Sequence, residues 1–357
     1  MSGGIGTASI VTLIPSTGEV GGTWGSTGAV ATRKLHGIQK QTFTIAEVVE
    51  SVPMVGYYGA SPVADEQQQS GEFSLEGIAT YQEMPKFYNG FFSYTSGSTG
   101  SADPYPFYWA APVASTQASA TYCLEFGTTG MPYRSLGSIF NELRISGEAG
   151  GYWQFTIGGF SKAIQASSGL SATAFADSRT MVPIRMADTN VYLNAFTTGA
   201  YQSTSGLVDA TLVSFELNYN PNRHLKFFAG SKYPGGWGDA RAEATLTTVL
   251  EFNSTSRALL NELLASSTGT TSTGTALQRQ IMIKASAIST AGSSGFVSII
   301  DFAGVAGDNI NMWDDRDGNC TVEIQWRGKF STAMTCPTST NGNYLGFTIY
   351  NGSSSTT

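Results

Sequence analysis

The chain of 357 residues contains an internal repeat, whose second copy runs about 171 residues behind the first. Each copy is far longer than the roughly 20–50-residue units of solenoid proteins. The repeat therefore predicts that residues 37–164 and 210–333 fold alike. The matching segments are residues 43–45 with 215–217, 72–75 with 243–246, 87–92 with 259–264, and 158–163 with 328–333.

Two equivalent copies in one chain favour assembly or binding over catalysis, because a reaction seldom needs two equivalent sites. Composition points the same way. Charged residues make up 13% of the chain, about half the share of an average soluble domain. A surface with so little charge and so many small polar residues indicates that copies or partners cover much of it.

The net charge of −7 excludes a protein that grips nucleic acid by neutralising phosphates. Like charge would instead keep a passing polyanion mobile. The N-terminal 15 residues lack Lys and Arg and carry only a short apolar run, so we expect neither a signal peptide nor a membrane span. Cys123, Cys320 and Cys336 are odd in number and lack CxxC spacing, which indicates reduced thiols.

Short runs with alternating apolar and polar residues dominate both copies. Phe73 and Leu75 alternate with Glu72, Ser74 and Glu76, as in a strand with one buried and one wet face. Similar runs are typical of strands and predict a mainly β fold. They lie at 41–49, 72–81, 122–126, 139–145 and 152–160 in the first copy, and at 212–219, 244–252, 280–287, 296–302 and 320–330 in the second.

Each copy also contains one predicted helix at the same place. In the second copy, Ser254 to Ser256 supply an N-cap and the leucines at 259, 260, 263 and 264 form one apolar stripe. Pro85 and a matching aromatic stripe predict the first helix. The helices are expected at 85–92 and 256–265, docked on the sheets. The expected divisions are an extended N-terminal arm at 1–36, a first domain at 37–200 and a second at 201–357.

The sequence shows no catalytic or metal-binding motif. His36 and His224 stand outside any nucleophile or metal-ligand pattern, and the glycine-rich stretches lack P-loop spacing. The acidic run around Asp317-Gly318 breaks the calcium-loop pattern and instead predicts a hairpin turn. We therefore expect no enzyme activity, no catalytic residue, no cofactor and no bound metal.

Several segments resemble the major tail tube proteins of long-tailed bacteriophages. They are residues 71–77 leading into a helix, 133–147, 213–217, and 227–230 with the strand that follows. The resemblance spans roughly residues 37–333 and rests on pattern and order. It implies two β-sandwich domains, each with one short flanking helix. It also implies a structural virion protein of the tail, assembled in the host cytoplasm, whose stacked rings conduct DNA during ejection.

The resemblance implies the partners too. Members with two domains per chain form trimeric, pseudo-hexameric rings that stack helically. The implied partners beyond the chain itself are the tape measure protein, the tail terminator and tip proteins, and double-stranded DNA in passage, with no membrane. The hairpin-like segments 49–69 and 220–238 are the expected contacts between rings.

Glu72 and Glu243 are the candidates for lumen-facing residues. They occupy equivalent positions, and each lies on the strand face opposite apolar neighbours, so the carboxylates stay wet while the other face enters the sandwich. Outward-facing solvent positions remain the alternative.

Three other kinds of protein fit parts of the sequence. A capsid, decoration or tail-fibre protein built of tandem β-sandwiches would share the composition. A surface adhesin would need a signal sequence, and a carbohydrate-active enzyme would need a pair of catalytic carboxylates, which does not stand out.

Overall fold

The structure is a computed structural model of the whole chain. It describes residues 10–15, 24–25, 31–52, 63–96, 105–111, 121–170, 174, 181–195, 212–267, 278–287, 295–316, 318–331, 334 and 342–351. The fold is mainly β, as predicted, and the described residues contain two α-helices.

The first part of the chain forms β1 (Val11–Ile14), β2 (Arg33–Lys34), β3 (Ile38–Val52), β4 (Val63–Ile78), α1 (Met84–Phe91), β5 (Ser93–Ser96), β6 (Tyr105–Ala110), β7 (Tyr122–Thr128), β8 (Met131–Glu148), β9 (Gln154–Ser161) and β10 (Ala163–Ala166). The second part forms β11 (Thr189–Ala195), β12 (Leu212–Asn220), β13 (His224–Lys226), β14 (Gly236–Gly238), β15 (Glu243–Glu251), α2 (Ser254–Ser267), β16 (Gln278–Ala287), β17 (Phe296–Arg316), β18 (Asn319–Gly328) and β19 (Leu345–Asn351).

The two parts repeat one strand topology, and we call them the first and the second unit. Six antiparallel pairings of the first unit have counterparts in the second, whereas the short β1–β2 pairing has none among the described residues. The helices lie within two residues of their predicted bounds. The equivalent elements are β1 and β11, β3 and β12, β4 and β15, α1 and α2, β7 and β16, β8 and β17, β9 and β18, and β10 and β19.

The sequence repeat matches Phe43 with Phe215, but in the structure this correspondence between the two copies is shifted by four residues. Phe43 opposes Phe73 in the β3–β4 ladder, whereas Ala244, the counterpart of Phe73, is opposed by Tyr219. Tyr219 and not Phe215 therefore takes the place of Phe43. Because the side-chain period of a strand is two, a four-residue shift leaves the same faces buried, so the alternation pattern alone does not reveal it.

Each unit is a β-sandwich in which one long strand belongs to both sheets. The N-terminal half of β8 pairs with β7 and β10 in an outer sheet, and its C-terminal half pairs with β9 in an inner sheet. The strand changes sheets near Gly137, whose φ of +61° suits glycine. A Cβ there would meet the indole nitrogen of Trp24 at 2.6 Å, and that indole donates to the Gly137 carbonyl.

The inner sheets of the two units join into one continuous sheet. Strand β8 of the first unit pairs with β12 of the second over six residue pairs, from Ser214 opposite Glu148 to Tyr219 opposite Leu143. The resulting strand order is β3, β4, β9, β8, β12, β15, β18 and β17. We call this the eight-strand sheet, and the β8–β12 ladder the internal seam.

A second contact joins the units on the outer side. Strands β5 and β6, which follow α1, extend the outer sheet of the second unit because β6 pairs with β19 from Ala110 opposite Gly346 to Tyr105 opposite Asn351. The two units are thus linked by a ladder in each layer.

Two segments differ from the divisions expected from the sequence. Strand β1, in the expected arm 1–36, pairs with β7, and its Leu13 and Ile14 are fully buried, so this stretch is part of the outer sheet of the first unit. Strand β11 falls within the expected first domain, yet it pairs with β16 of the second unit.

The core of the first unit is aromatic and centres on α1. The aromatic stripe of this helix is buried, with Phe87 and Phe91 against Phe140 of β8 at 6.2 and 5.6 Å between ring centroids. The prediction that the stripe is a helix docked on a sheet is confirmed. Gly90 permits this approach, since a Cβ there would lie 2.2 Å from the Phe140 ring.

The segment between β12 and β15 folds back over the first unit. Arg223 of this segment is fully buried, and its guanidinium donates to the carbonyls of Gly90 (2.9 Å) and Phe140 (2.6 Å) and pairs with Asp239 (3.3 Å). Burial lowers the pKa of Arg223. The backbone N–H of Gln69 donates to the Lys232 carbonyl at 2.8 Å, so the segment reaches β4. Much of the expected ring-contact segment 220–238 is therefore anchored within its own chain.

The hairpin β3–β4 projects further than its counterpart. Its ladder runs to Val52 opposite Val63, whereas β12 and β15 stop at Asn220 opposite Glu243. The tip at 53–62 lies outside the described residues.

Three smaller features concern a turn, the cysteines and the lengths of the helices. Arg316 pairs with Asn319, which leaves a two-residue hairpin turn where one was predicted, and Gly318 has a φ of +83°. Cys123 and Cys320 are free thiols, and Cys336 lies outside the described residues. No helix in the described part of the chain is both long and apolar enough to span a membrane.

Glu83 ties the start of β3 to the N-terminus of α1. This buried carboxylate accepts hydrogen bonds from the backbone N–H of His36 (2.5 Å) and Gly37 (2.9 Å). Burial raises the pKa of Glu83 above its usual value, although the two backbone hydrogen bonds act in the opposite direction.

We predict that replacing Arg223 by Met lowers the free energy of unfolding by about 2–4 kcal/mol, because two buried carbonyls and Asp239 lose their partner. The matched control is Arg144→Met, which removes a half-exposed ion pair across the internal seam and should cost no more than about 1 kcal/mol. Urea unfolding followed by tryptophan fluorescence measures both. Equal losses for the two variants would contradict the anchoring role of Arg223.

We also predict that Glu83 makes stability depend on pH. Because its folded pKa is raised, its contribution to stability is complete below the unfolded value of about 4.5 and is lost as pH rises through the folded value. The free energy of unfolding of the native chain minus that of Glu83→Gln should therefore fall as pH rises from about 4. A difference that stays flat or increases over this range would show that Glu83 is not the titrating group.

Candidate functional site

The eight-strand sheet has one apolar face and one polar face. Phe73, Leu75, Leu217 and Leu246 point into the core and are buried, while the residues that alternate with them are accessible. The ladders place the polar residues of all strands on the same side. We call this side the polar face. It carries Lys40, Thr42, Thr44, Glu72, Ser74, Glu76, Thr156, Phe160, Glu142, Arg144, Ser146, Glu148, Ser214, Glu216, Asn218, Glu243, Thr245, Thr247, Glu323, Gln325 and Arg327.

Carboxylates dominate the charge of the polar face. The acidic residues of this face outnumber the basic ones by more than two to one. The acidic residues are Glu72, Glu76, Glu142, Glu148, Glu216, Glu243 and Glu323, and the basic ones are Lys40, Arg144 and Arg327. A polyanion at this face meets net repulsion and no cluster of cations.

Two of the cations are held by carboxylates of the same face. The Arg144 guanidinium lies 2.5 Å from Glu216 across the internal seam, and the Lys40 ammonium lies 3.0 Å from Glu76. Asn218 also donates to Glu216 at 2.8 Å. These contacts direct Lys40 and Arg144 along the sheet and lower their availability to a passing phosphate.

The polar face contains two hollows. A groove of about 680 Å³ follows the internal seam and is bordered by Glu148, Glu216 and Glu323. A second hollow of about 350 Å³ lies over the first unit, bordered by Glu72 and Glu142. Both hollows are open and lined mainly by polar side chains, which is unlike the enclosed apolar pockets that hold small ligands.

Glu72 and Glu243, singled out from the sequence, are both exposed on the polar face. Their neighbours Phe73 and Ala244 are buried on the other side. The structure thus places the two carboxylates on one surface, in equivalent positions of the two units.

The two ends of the eight-strand sheet are open in the described residues. Strand β3 pairs only with β4, and the C-terminal half of β17 pairs only with β18. Unpaired strand edges offer rows of N–H and C=O groups to another chain. At the internal seam, their equivalents β12 and β8 pair with each other.

Sequence reasoning missed the residues that hold the two units together. Arg144 and Glu216 each sit in an alternating strand, but nothing in the sequence shows that these two strands are neighbours. Arg223 lies in a segment with turn-forming residues, so its sequence context predicts an exposed arginine in a loop. Its burial depends on a fold-back that no local pattern encodes.

The described residues contain no group of three or more His, Cys, Asp or Glu side chains that could hold a metal ion. His36 lies just before β3, and His224 is the first residue of β13.

Comparison with protein families gives one match, to the family described as phage tail tube protein, over residues 20–327. Comparison with curated proteins gives no match. The family match includes the whole internal seam and almost all of the eight-strand sheet. Because it covers most of the chain, the chain belongs to the phage tail tube protein family and is a structural component of the virion tail, assembled in the host cytoplasm.

Proposed function

We propose that three copies of the chain form a ring, in which their eight-strand sheets join edge to edge into one closed barrel. Rings of this kind stack into the tube through which DNA passes during ejection. The observation that carries the proposal is the internal seam. It shows that the last inner strand of one unit pairs with the first inner strand of the next.

The same contact can be repeated between chains. The C-terminal half of β17 is the equivalent of β8, and β3 is the equivalent of β12, so the second unit of one copy can pair with the first unit of the next. Three copies bring six units and 24 inner strands, and closure removes both open edges. The division between the two tube domains is then placed just before β11, which pairs within the second unit.

The polar face becomes the wall of the lumen in this arrangement. Its apolar counterpart is already covered by the helices and the outer sheets, so only the polar face is free to line a channel. Each ring would then carry three copies of Glu72 and three of Glu243, which makes six carboxylates in equivalent positions. A lumen wall with the same charge as DNA, and without clustered cations to hold the phosphates, favours sliding of the DNA over binding.

Two kinds of partner complete the proposal. Ring stacking needs contacts at both rims, for which the projecting β3–β4 hairpin is the best placed element. We further propose the tape measure protein inside the tube, and the terminator and tip proteins at its ends, as partners, which membership of the family supports.

We predict threefold symmetry with pseudo-sixfold repeats in electron micrographs of the assembled protein. With strands about 4.8 Å apart and tilted by about 40°, 24 strands close at a backbone diameter of roughly 48 Å. Native mass measurement of single rings should give three chains. Six chains per ring would contradict the trimer, and the absence of rings and tubes would contradict the proposed function.

We predict that replacing both Glu72 and Glu243 by Lys leaves tubes intact but slows DNA ejection, since six new positive charges in each ring attract the phosphates. The slowing should be greater at low salt, where charges are less screened. Ejection is measured by dye release or nuclease sensitivity in phage carrying the altered tube.

The control is the double change of Glu72 and Glu243 to Gln, which removes charge without adding attraction and keeps the side-chain size. Its ejection rate should lie between those of the native and the Lys variant. Equal rates for all three proteins would show that the two carboxylates do not face the DNA.

A further inference from the structure

An apolar groove lies open at the β3 end of the first unit, where the sandwich is not closed by a neighbour. We call it the β3 groove. Its volume is about 330 Å³, and it is lined by Phe43, Ile45, Phe126, Tyr133, Ile164, Gln165 and Ala166. Ile45 is 47% exposed and Tyr133 is 39% exposed. Large apolar side chains gathered in one exposed groove indicate a contact surface.

The equivalent place in the second unit is filled. Tyr219, the counterpart of Phe43, has the Phe92 ring at 4.8 Å and the Phe91 ring at 6.0 Å. Phe347 on β19, the counterpart of β10, has Tyr88 at 4.2 Å and Phe92 at 4.9 Å. The C-terminal turn of α1 therefore closes the open side of the second sandwich.

The filling helix comes from the neighbouring unit. Strand β8 pairs with β12, β6 pairs with β19, and the end of α1 enters between these two ladders. This set of contacts joins the two units at their inner and outer layers. It serves as the template for a junction between chains.

We propose that the C-terminal turn of α2 from a neighbouring copy occupies the β3 groove. The proposal rests on the proposed ring and names the contact that fixes its outer layer. In the sequence repeat, Leu263 and Leu264 stand at the positions of Phe91 and Phe92. The sequence of α2 thus has apolar residues at the two positions that correspond to the aromatic residues at the end of α1. Each chain offers one such helix end and one such groove, which is the requirement for a closed ring of identical copies.

The groove and the free β3 edge are continuous. Phe43 and Ile45 belong to the strand that is open to pairing, so a copy that pairs along β3 also brings its α2 over the groove. The stacked rings of Phe43 and Phe126 form the floor on which the incoming helix would rest. Burial of this patch stabilises the ladder, which alone would have little apolar surface at its edge.

The first test is Ile45→Asp in the full chain. Ile45 is half exposed before assembly, so folding should be preserved, whereas a carboxylate without a partner in the buried junction should reduce ring formation by more than about tenfold. The matched control is Tyr152→Asp, since Tyr152 is 46% exposed but lies outside the groove. Sedimentation velocity measures rings, and thermal unfolding of the dilute chain checks the fold.

The second test is cross-linking between chains. Gln165→Cys and Ser266→Cys are made in separate chains whose Cys320 and Cys336 are Ser, and the two chains are mixed and assembled. A short bismaleimide should join one chain of each kind, and Tyr152→Cys in place of Gln165→Cys should give at least tenfold less product.

The outcomes separate this inference from the proposed ring. Rings that form with native yield from Ile45→Asp, or cross-links no more frequent at 165 than at 152, would overturn the helix contact and leave the ring standing. Failure of the native chain to form rings at all would overturn both. Loss of rings in Ile45→Asp together with a selective 165–266 cross-link would establish the contact.

Discussion

Pairing of exposed strand edges is the constraint on which the rest of this structure depends. Each unit presents an inner sheet whose two outermost strands lack a partner of their own. Within the chain, β8 and β12 pair with each other, and the ladder of β6 with β19 joins the units a second time in the outer layer. The aromatic end of α1 and the buried Arg223 then fill the space between these layers. In the described residues of one chain, the outer edges of β3 and of the C-terminal half of β17 remain without a strand partner.

The chemistry of the two faces follows from the same arrangement. A sheet whose one side is packed under helices and a second sheet can place charge only on the other side. The polar face accordingly carries seven glutamates and three cations, with the glutamates in excess. The strands that carry Glu72 and Glu243 also carry the leucines of the core, so assembly and surface charge are encoded in alternate residues of the same segments.

Local patterns predicted the strands of the eight-strand sheet, the two helices and the repeat, because alternation, capping residues and apolar stripes are properties of neighbouring residues. They missed β1, β6 and β19 of the outer layer. Glu72 and Glu243 were found in this way, since each alternates with buried neighbours. The internal seam, the fold-back of Arg223 and the outer ladder of β6 with β19 depend on residues far apart in the sequence, such as Arg144 and Glu216, which are 72 positions apart. No local pattern reports such contacts. The shift from Phe215 to Tyr219 shows a further limit, because strand periodicity is unchanged by a slip of four residues.

The covalent link between the two units also has a consequence for the rate of assembly. A folded chain already holds one seam of its own, made within the molecule at the effective concentration that a covalent link gives. A ring of three such chains has only its three remaining junctions to form by collision, where six separate units would need six. Its formation would depend less steeply on protein concentration, and partly built rings with a single free unit would not arise. Duplication within the chain would thus act on the kinetics of tube growth, quite apart from the shape of the finished tube.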